Sequence, residues 1–236
     1  MRAVGLTHPG HVRSHNEDAF AFQENLGLLI IADGLGGHGA GDLASNTAVD
    51  TVMDLFETHK VPYTLDGLTQ AIVAADHAIH EKGKEGLGKP EMRTTIACAL
   101  VTETNLLYAW VGDSRIYLGG GGQALTCLTK DHNLYEQKRS QGLTPEPQDK
   151  HLLTRSIGGG FETEVARGQL PRASVQAGRM LLSTDGLHGI VTQREINELL
   201  SASTDLAVLS DQLVRAALRQ GGPDNISLVV ADLSSN

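Results

Sequence analysis

Asp33, Asp113, Asp185 and Asp224 each stand at the edge of an apolar run, in LGLLIIAD, LLYAWVGD, RMLLSTD and DNISLVVAD. Short apolar runs of this kind read as strands, so the carboxylates gather at the rim of a sheet. Like charges crowded at low dielectric are either protonated or neutralised by bound cations. Carboxylate oxygens suit hard ions such as Mg²⁺ or Mn²⁺. One such aspartate alone reads more simply as a turn residue or helix cap. The flanking glycines that recur in DGLGG, GDSR, DGL and GGPDN favour a shared site. Glycine also lets backbone carbonyls approach an ion, which makes Asp33 and the Gly34 carbonyl a candidate ligand pair. Near the N-terminus, VRSHNEDAF carries Arg13 and the acidic pair Glu17 and Asp18. A guanidinium at that place would match a phosphoryl group bidentately.

The elements that must hold these groups follow from the hydrophobic period. Apolar or alternating runs predict strands at 3–7, 18–22, 26–32, 95–101, 105–111, 115–118, 124–129, 164–170, 179–184 and 226–233. Between the third and fourth runs the spacing changes to three or four residues: Leu43, Ala44, Thr47, Ala48, Thr51, Val52 and Leu55, then Leu65, Leu68, Ile72, Ala75 and Ile79. That spacing predicts two amphipathic helices. A second pair is predicted by Thr192 with Glu195, which form a capping box, and by Leu206, Leu209, Leu213 and Ala217 ahead of Gly221. Strands in consecutive runs, not alternating with helices, point to antiparallel sheets. The expected fold is α+β: a four-layer α-β-β-α sandwich of two mainly antiparallel sheets flanked by helix pairs. One domain is expected over 1–236, with a partly helical flap at about 131–160, where Pro145 and Pro147 break the strand pattern.

A hydrophobic content of 40% supports a sizeable core. The formal charge of −9, from 19 Lys plus Arg against 28 Asp plus Glu, argues against nucleic acid and anionic membranes as partners. Cys98 and Cys127 lie in apolar segments and read as buried free thiols. The N-terminal MRAVGLTHPG lacks an apolar signal core, and no apolar run approaches the ~20 residues of a membrane helix. A cytoplasmic, monomeric protein is expected.

In chain order the sequence carries R-x-x-x-E-D, DG-x-GG-x-x-x-G, TT, GDSR, LTR-x-x-G, STDGL and GPDN. With these motifs, from about Thr7 to Asp232, the chain resembles the metal-dependent Ser/Thr protein phosphatases of the type 2C (PPM) family, in its bacterial branch. The resemblance implies a binuclear Mn²⁺ or Mg²⁺ centre bridged by Asp33, assisted by the Gly34 carbonyl, with Asp185 and Asp224 completing one metal. Glu17 and Asp18 match the acidic pair that supports the second metal, Arg13 matches the phosphate-binding arginine, and Asp113 matches an acid of a weak third metal. The implied activity is hydrolysis of phosphoserine and phosphothreonine in proteins, opposing a Ser/Thr kinase. Water activated by two divalent cations would attack phosphorus in line, with no covalent phosphoenzyme. Two other readings are a catalytically weak phosphoprotein-binding module and a small-molecule phosphomonoesterase.

Three positions depart from the family pattern. Leu35 stands where eukaryotic relatives carry a histidine after the DG pair, so His38 becomes the nearest candidate proton donor. Gly189 stands where many relatives place a further acid for the third metal, so Asp113 loses a partner. Arg93, not glycine, precedes Thr94 and Thr95; it either perturbs or contacts the site, or is a solvated strand-end arginine. Arg115 and Arg155 are either phosphate ligands or, the simpler reading, structural ion-pair partners; His132 reads as the cap of the helix entering the flap, Trp110 as core, and Asn225 as the residue that fixes the turn presenting Asp224.

Overall fold

A computed structural model of the chain describes residues 1–36, 40–84, 92–120, 123–160, 163–175, 178–202 and 205–233. One sheet has the order β1-β11-β10-β7-β8, from β1 (Arg2–His8), β7 (Arg115–Gly120), β8 (Gln123–Cys127), β10 (Arg179–Ser183) and β11 (Ile226–Asp232). The other has the order β2-β3-β5-β6-β9, from β2 (Asp18–Gln23), β3 (Leu28–Leu35), β5 (Ile96–Val101), β6 (Asn105–Val111) and β9 (Ala166–Pro171), with the short β4 (Arg93–Thr94) paired to the end of β3. All of these pairings are antiparallel.

Alternation along the central strands explains why they read as unbroken apolar runs. In β3, Leu28, Ile30 and Ala32 face α1 (Ala40–Glu57) and α2 (Leu65–Lys84), while Leu29 and Ile31 face the opposite sheet. In β11, Leu228 and Val230 face α5 (Gln193–Ala202) and α6 (Leu206–Arg219), while Val229 and Ala231 enter the seam between the sheets. Each central strand is thus covered on both sides, and period-two polarity disappears. The result is the expected α-β-β-α sandwich, with one apolar layer between the sheets and one under each helix pair.

Every predicted strand and both predicted helix pairs are present. Three short elements were not foreseen: β4, a 3₁₀ turn at Arg172–Ser174, and α4 (Asp185–His188), which begins on Asp185 itself. The segment 131–160 contains α3 (Leu134–Ser140) and a 3₁₀ turn at Pro147–His151. Its N-cap is Asn133, whose side chain accepts from the Glu136 N–H at 2.9 Å. This corrects the expectation for His132. Its ring stacks on Trp110, its Nδ1 accepts from the Gly112 N–H at 3.1 Å, and burial lowers its pKa to about 4. Trp110 is buried, as expected. Arg115 grips Asp131 through two bonds of 2.7 Å, and Arg155 pairs with Glu164 at 2.7 Å. Both cysteines are free, Cys98 fully buried and Cys127 partly so. Among the described residues no helix is long and apolar enough to cross a membrane.

Candidate metal centre

Asp18 and Asp33 are register partners across β2 and β3. Directly opposed residues of an antiparallel pair point to the same face. In β3 that face is the one carrying Leu29 and Ile31, so both carboxylates sit at the end of the seam between the sheets. The second sheet supplies Asp185 at the step from β10 to α4, and Asp224 in the turn before β11. A cavity of about 500 Å³ opens there, lined by Arg13, Glu17, Asp33, Gly34, Asp113, Asp185 and Asp224. Asp18 lies behind it, buried. His38 falls outside the described residues; His15 and His151 are the described histidines that line the cavity.

The backbone around Asp33 is braced by two of the motifs. Its N–H donates to Thr95 Oγ1 at 3.0 Å, and its carbonyl accepts from Thr94 Oγ1 at 2.8 Å and from the Thr95 N–H at 2.9 Å. Thr95 Oγ1 also meets Ser114 Oγ of GDSR at 2.7 Å. The paired threonines and the GDSR serine therefore position Asp33, a role the sequence reading did not assign them. At Gly34 a Cβ would stand 2.1 Å from the Gly41 carbonyl oxygen and 2.5 Å from that of Glu17. No side chain fits between the strand, the start of α1 and the acidic loop.

Asn225 does more than fix its own turn. Its N–H donates to Asp224 Oδ1 at 2.8 Å, its Oδ1 accepts from the Glu17 N–H at 2.8 Å, and its Nδ2 donates to the carbonyls of Pro9 and His15, each at 2.9 Å. One buried amide thus locks the loop carrying Arg13 and Glu17 onto the turn carrying Asp224.

Electrostatics sets this end of the seam apart. Burial, then the charge of Asp18 and the other acids, pushes the Asp33 carboxyl well above the usual carboxylate range. Burial raises Asp18 to about 7 and Asp113 to about 8. Asp185 is raised by burial and then by Asp224. Arg13 is raised chiefly by the charge of Asp224, its ion-pair partner at 2.8 Å. One observation tests whether divalent cations fit. Asp18 Oδ2 accepts from Thr184 Oγ1 at 2.9 Å, but Asp18 Oδ1 is buried with no hydrogen-bond partner among the described residues. An orphaned carboxylate oxygen within an all-oxygen cluster suits a hard cation. Among the described residues no three of these side chains already close as a cage around one point; Asp224 instead faces Arg13.

The Protein phosphatase 2C family model matches residues 7–224. The serine/threonine phosphatase stp of Listeria monocytogenes is 31% identical, over 98% of this chain and 96% of its own length. The crystal structure of the Mycobacterium tuberculosis serine/threonine phosphatase PstP/Ppp is similar with a TM-score of 0.89 at 32% identity, over 99% of both chains. The catalytic domain of PstP in complex with two manganese ions is similar with a TM-score of 0.86 at 32% identity, over 97% of this chain and 96% of that one. A family match over most of its length, joined by relatives alike from end to end, means that this chain belongs to the protein phosphatase 2C family.

Proposed function

We propose that this chain hydrolyses phosphoserine and phosphothreonine in proteins, with two Mn²⁺ or Mg²⁺ ions held at the end of the inter-sheet seam. Metal-dependent protein phosphatase chemistry follows from the family. The finer assignments rest on this chain's own residues. The observation that carries them is the cross-strand pair of Asp33, which lines a cavity that also presents Arg13, and Asp18, buried behind it with one carboxylate oxygen that has no hydrogen-bond partner among the described residues.

Asp33 faces the centre of the cluster and would bridge the two ions, with the Gly34 carbonyl beside it. Asp185 and Asp224 would complete one ion, and Glu17 and Asp18 would support the other. When bound, such a pair of cations supplies Lewis acidity, activating water and neutralising charge on phosphoryl oxygens. Arg13, exposed at the mouth, would take the phosphoryl group and orient it for in-line attack. For that, its guanidinium must exchange Asp224 for phosphate. Asp113 is the candidate for a third, weak ion, weak because Gly189 stands where a further acid would help to hold it. The whole chain acts as one catalytic domain, with segment 131–160 as a flap. It works as a monomer in the cytoplasm, opposing a Ser/Thr kinase.

The test is hydrolysis of a phosphothreonine peptide by the purified protein with Mn²⁺, with Mg²⁺ and with a chelator. Turnover is expected with either metal and abolished by the chelator. Turnover that persists in the chelator would overturn the reading.

A further inference from the structure

Arg93, which stands directly before the paired threonines, has no part in the chemistry assigned above. It is exposed at the start of β4, opposite Leu35, so the strand that carries Asp33 also fixes the Arg93 backbone. Its neighbour Thr94 is tied to Ile157 by reciprocal N–H to carbonyl bonds of 3.0 and 2.9 Å. The side chain lies over Gly159, where an added Cβ would stand 3.2 Å from Arg93 Nε. From there it lines a second cavity of about 320 Å³ with Leu153, Thr154, Arg155, Ser156 and Glu164. Leu153 lines the metal-centre cavity as well, so the two share a wall.

Charge inside this second cavity is uneven. Arg155 is neutralised by Glu164 at 2.7 Å. Arg93 pairs with no carboxylate among the described residues, in a chain whose net charge is −9 and beside a cluster of aspartates. We propose that this cavity is a subsite for a second anionic group of the phosphoprotein substrate, a carboxylate or a further phosphate, with Arg93 as the specificity-determining residue. The proposal rests on the phosphatase reading above. Strand geometry sets the reach: Leu35 lies about 7 Å along β3 from Asp33, and β4 lies about 5 Å to the side, so the Arg93 and Asp33 backbones are roughly 8 Å apart. An extended peptide advances about 3.3 Å per residue. The second anion therefore belongs two or three residues from the phosphorylated side chain.

The test measures kcat/KM with Mn²⁺ for phosphothreonine peptides carrying alanine, glutamate or a non-hydrolysable phosphonate analogue of phosphoserine, two or three residues to either side. The readout is the ratio of each acidic peptide to its alanine counterpart. On one side the native chain should favour glutamate by about three- to five-fold, as an exposed ion pair allows, and the phosphonate by more. Arg93→Ala should bring both ratios to one, Arg93→Glu should invert them, and high salt should flatten them. A ratio near one at every position, or a preference that survives Arg93→Ala, overturns the subsite. Failure of the native chain to hydrolyse even the alanine peptide would instead overturn the phosphatase reading, and the subsite with it.

Discussion

The acids reach the centre by two different constructions. Asp18 and Asp33 are cross-strand partners within a sheet covered on both faces, held by ladder bonds and by Thr94, Thr95 and Thr184. Asp224 sits in a turn, one-third exposed, and already faces the guanidinium of Arg13. The first construction fixes position and leaves charge uncompensated. The second compensates charge and leaves position adjustable. A phosphatase needs both: ion ligands that stay put, and a phosphate-binding arginine that can change partners.

The sharpest way to break this comparison is to remove Asp33, the proposed bridging carboxylate. Asp33→Ala should lower Mn²⁺-dependent turnover of a phosphopeptide by about 10³-fold or more. Its metal-free fold should melt no lower than the native chain, because a carboxylate crowded by Asp18, Asp185 and Asp113 is gone. A lower melting temperature together with intact turnover would show that Asp33 is structural.

Arg13→Ala addresses the adjustable half. Loss of a charge-assisted contact to phosphate should reduce kcat/KM by about 10- to 100-fold, with little change in melting temperature, since the Arg13 side chain is 55% exposed. If the thermal effect were the larger one, the ion pair with Asp224 would be a brace and not a partner to be exchanged. Asn225→Ala loosens the same half from behind. It strands the Glu17 N–H and two carbonyls, so a stability loss of about 2 to 4 kcal/mol is expected, along with a higher Mn²⁺ requirement. Denaturant unfolding and metal titration of the variant check both.

A pH titration separates the halves without mutation. Asp18 at about 7 and Asp113 at about 8 keep protons in the folded chain that the unfolded chain has already released. Stability of the metal-free protein should therefore fall as pH rises from about 4 to about 8. In chelator, the melting temperature at pH 8 should lie at least about 5 °C below that at pH 5.5, and saturating Mn²⁺ should close much of the gap. A flat profile would mean that these carboxylates are hydrated.

Most of the fold was legible because period two and period three-to-four are local patterns, and β3, β11, α1 and α2 carry them clearly. The layers followed from strands that come in unbroken series. What was missed was short or cooperative. Two residues of β4 have no period to detect, and α4 is a single turn nucleated at Asp185. His132 was misassigned because capping depends on backbone angles: Asn133, one residue on, has the extended conformation a cap requires. The acid inventory was visible in the motifs, as was the turn-fixing role of Asn225, whereas the bracing of Asp33 by Thr94, Thr95 and Ser114 and the tie from Asn225 to the N-terminal loop were not.

The sequence by itself determined which segments are strands and helices, and which carboxylates stand at their ends. Those properties depend on neighbours a few positions apart. Only the tertiary structure decided that Arg13 meets Asp224, 211 positions away, that Asn225 ties the N-terminal loop to the turn before β11, and that Arg93 opens into a cavity beside the acids. Contacts of that kind are set by strand order and register. Many chain positions satisfy the same local pattern, and packing selects which of them come together.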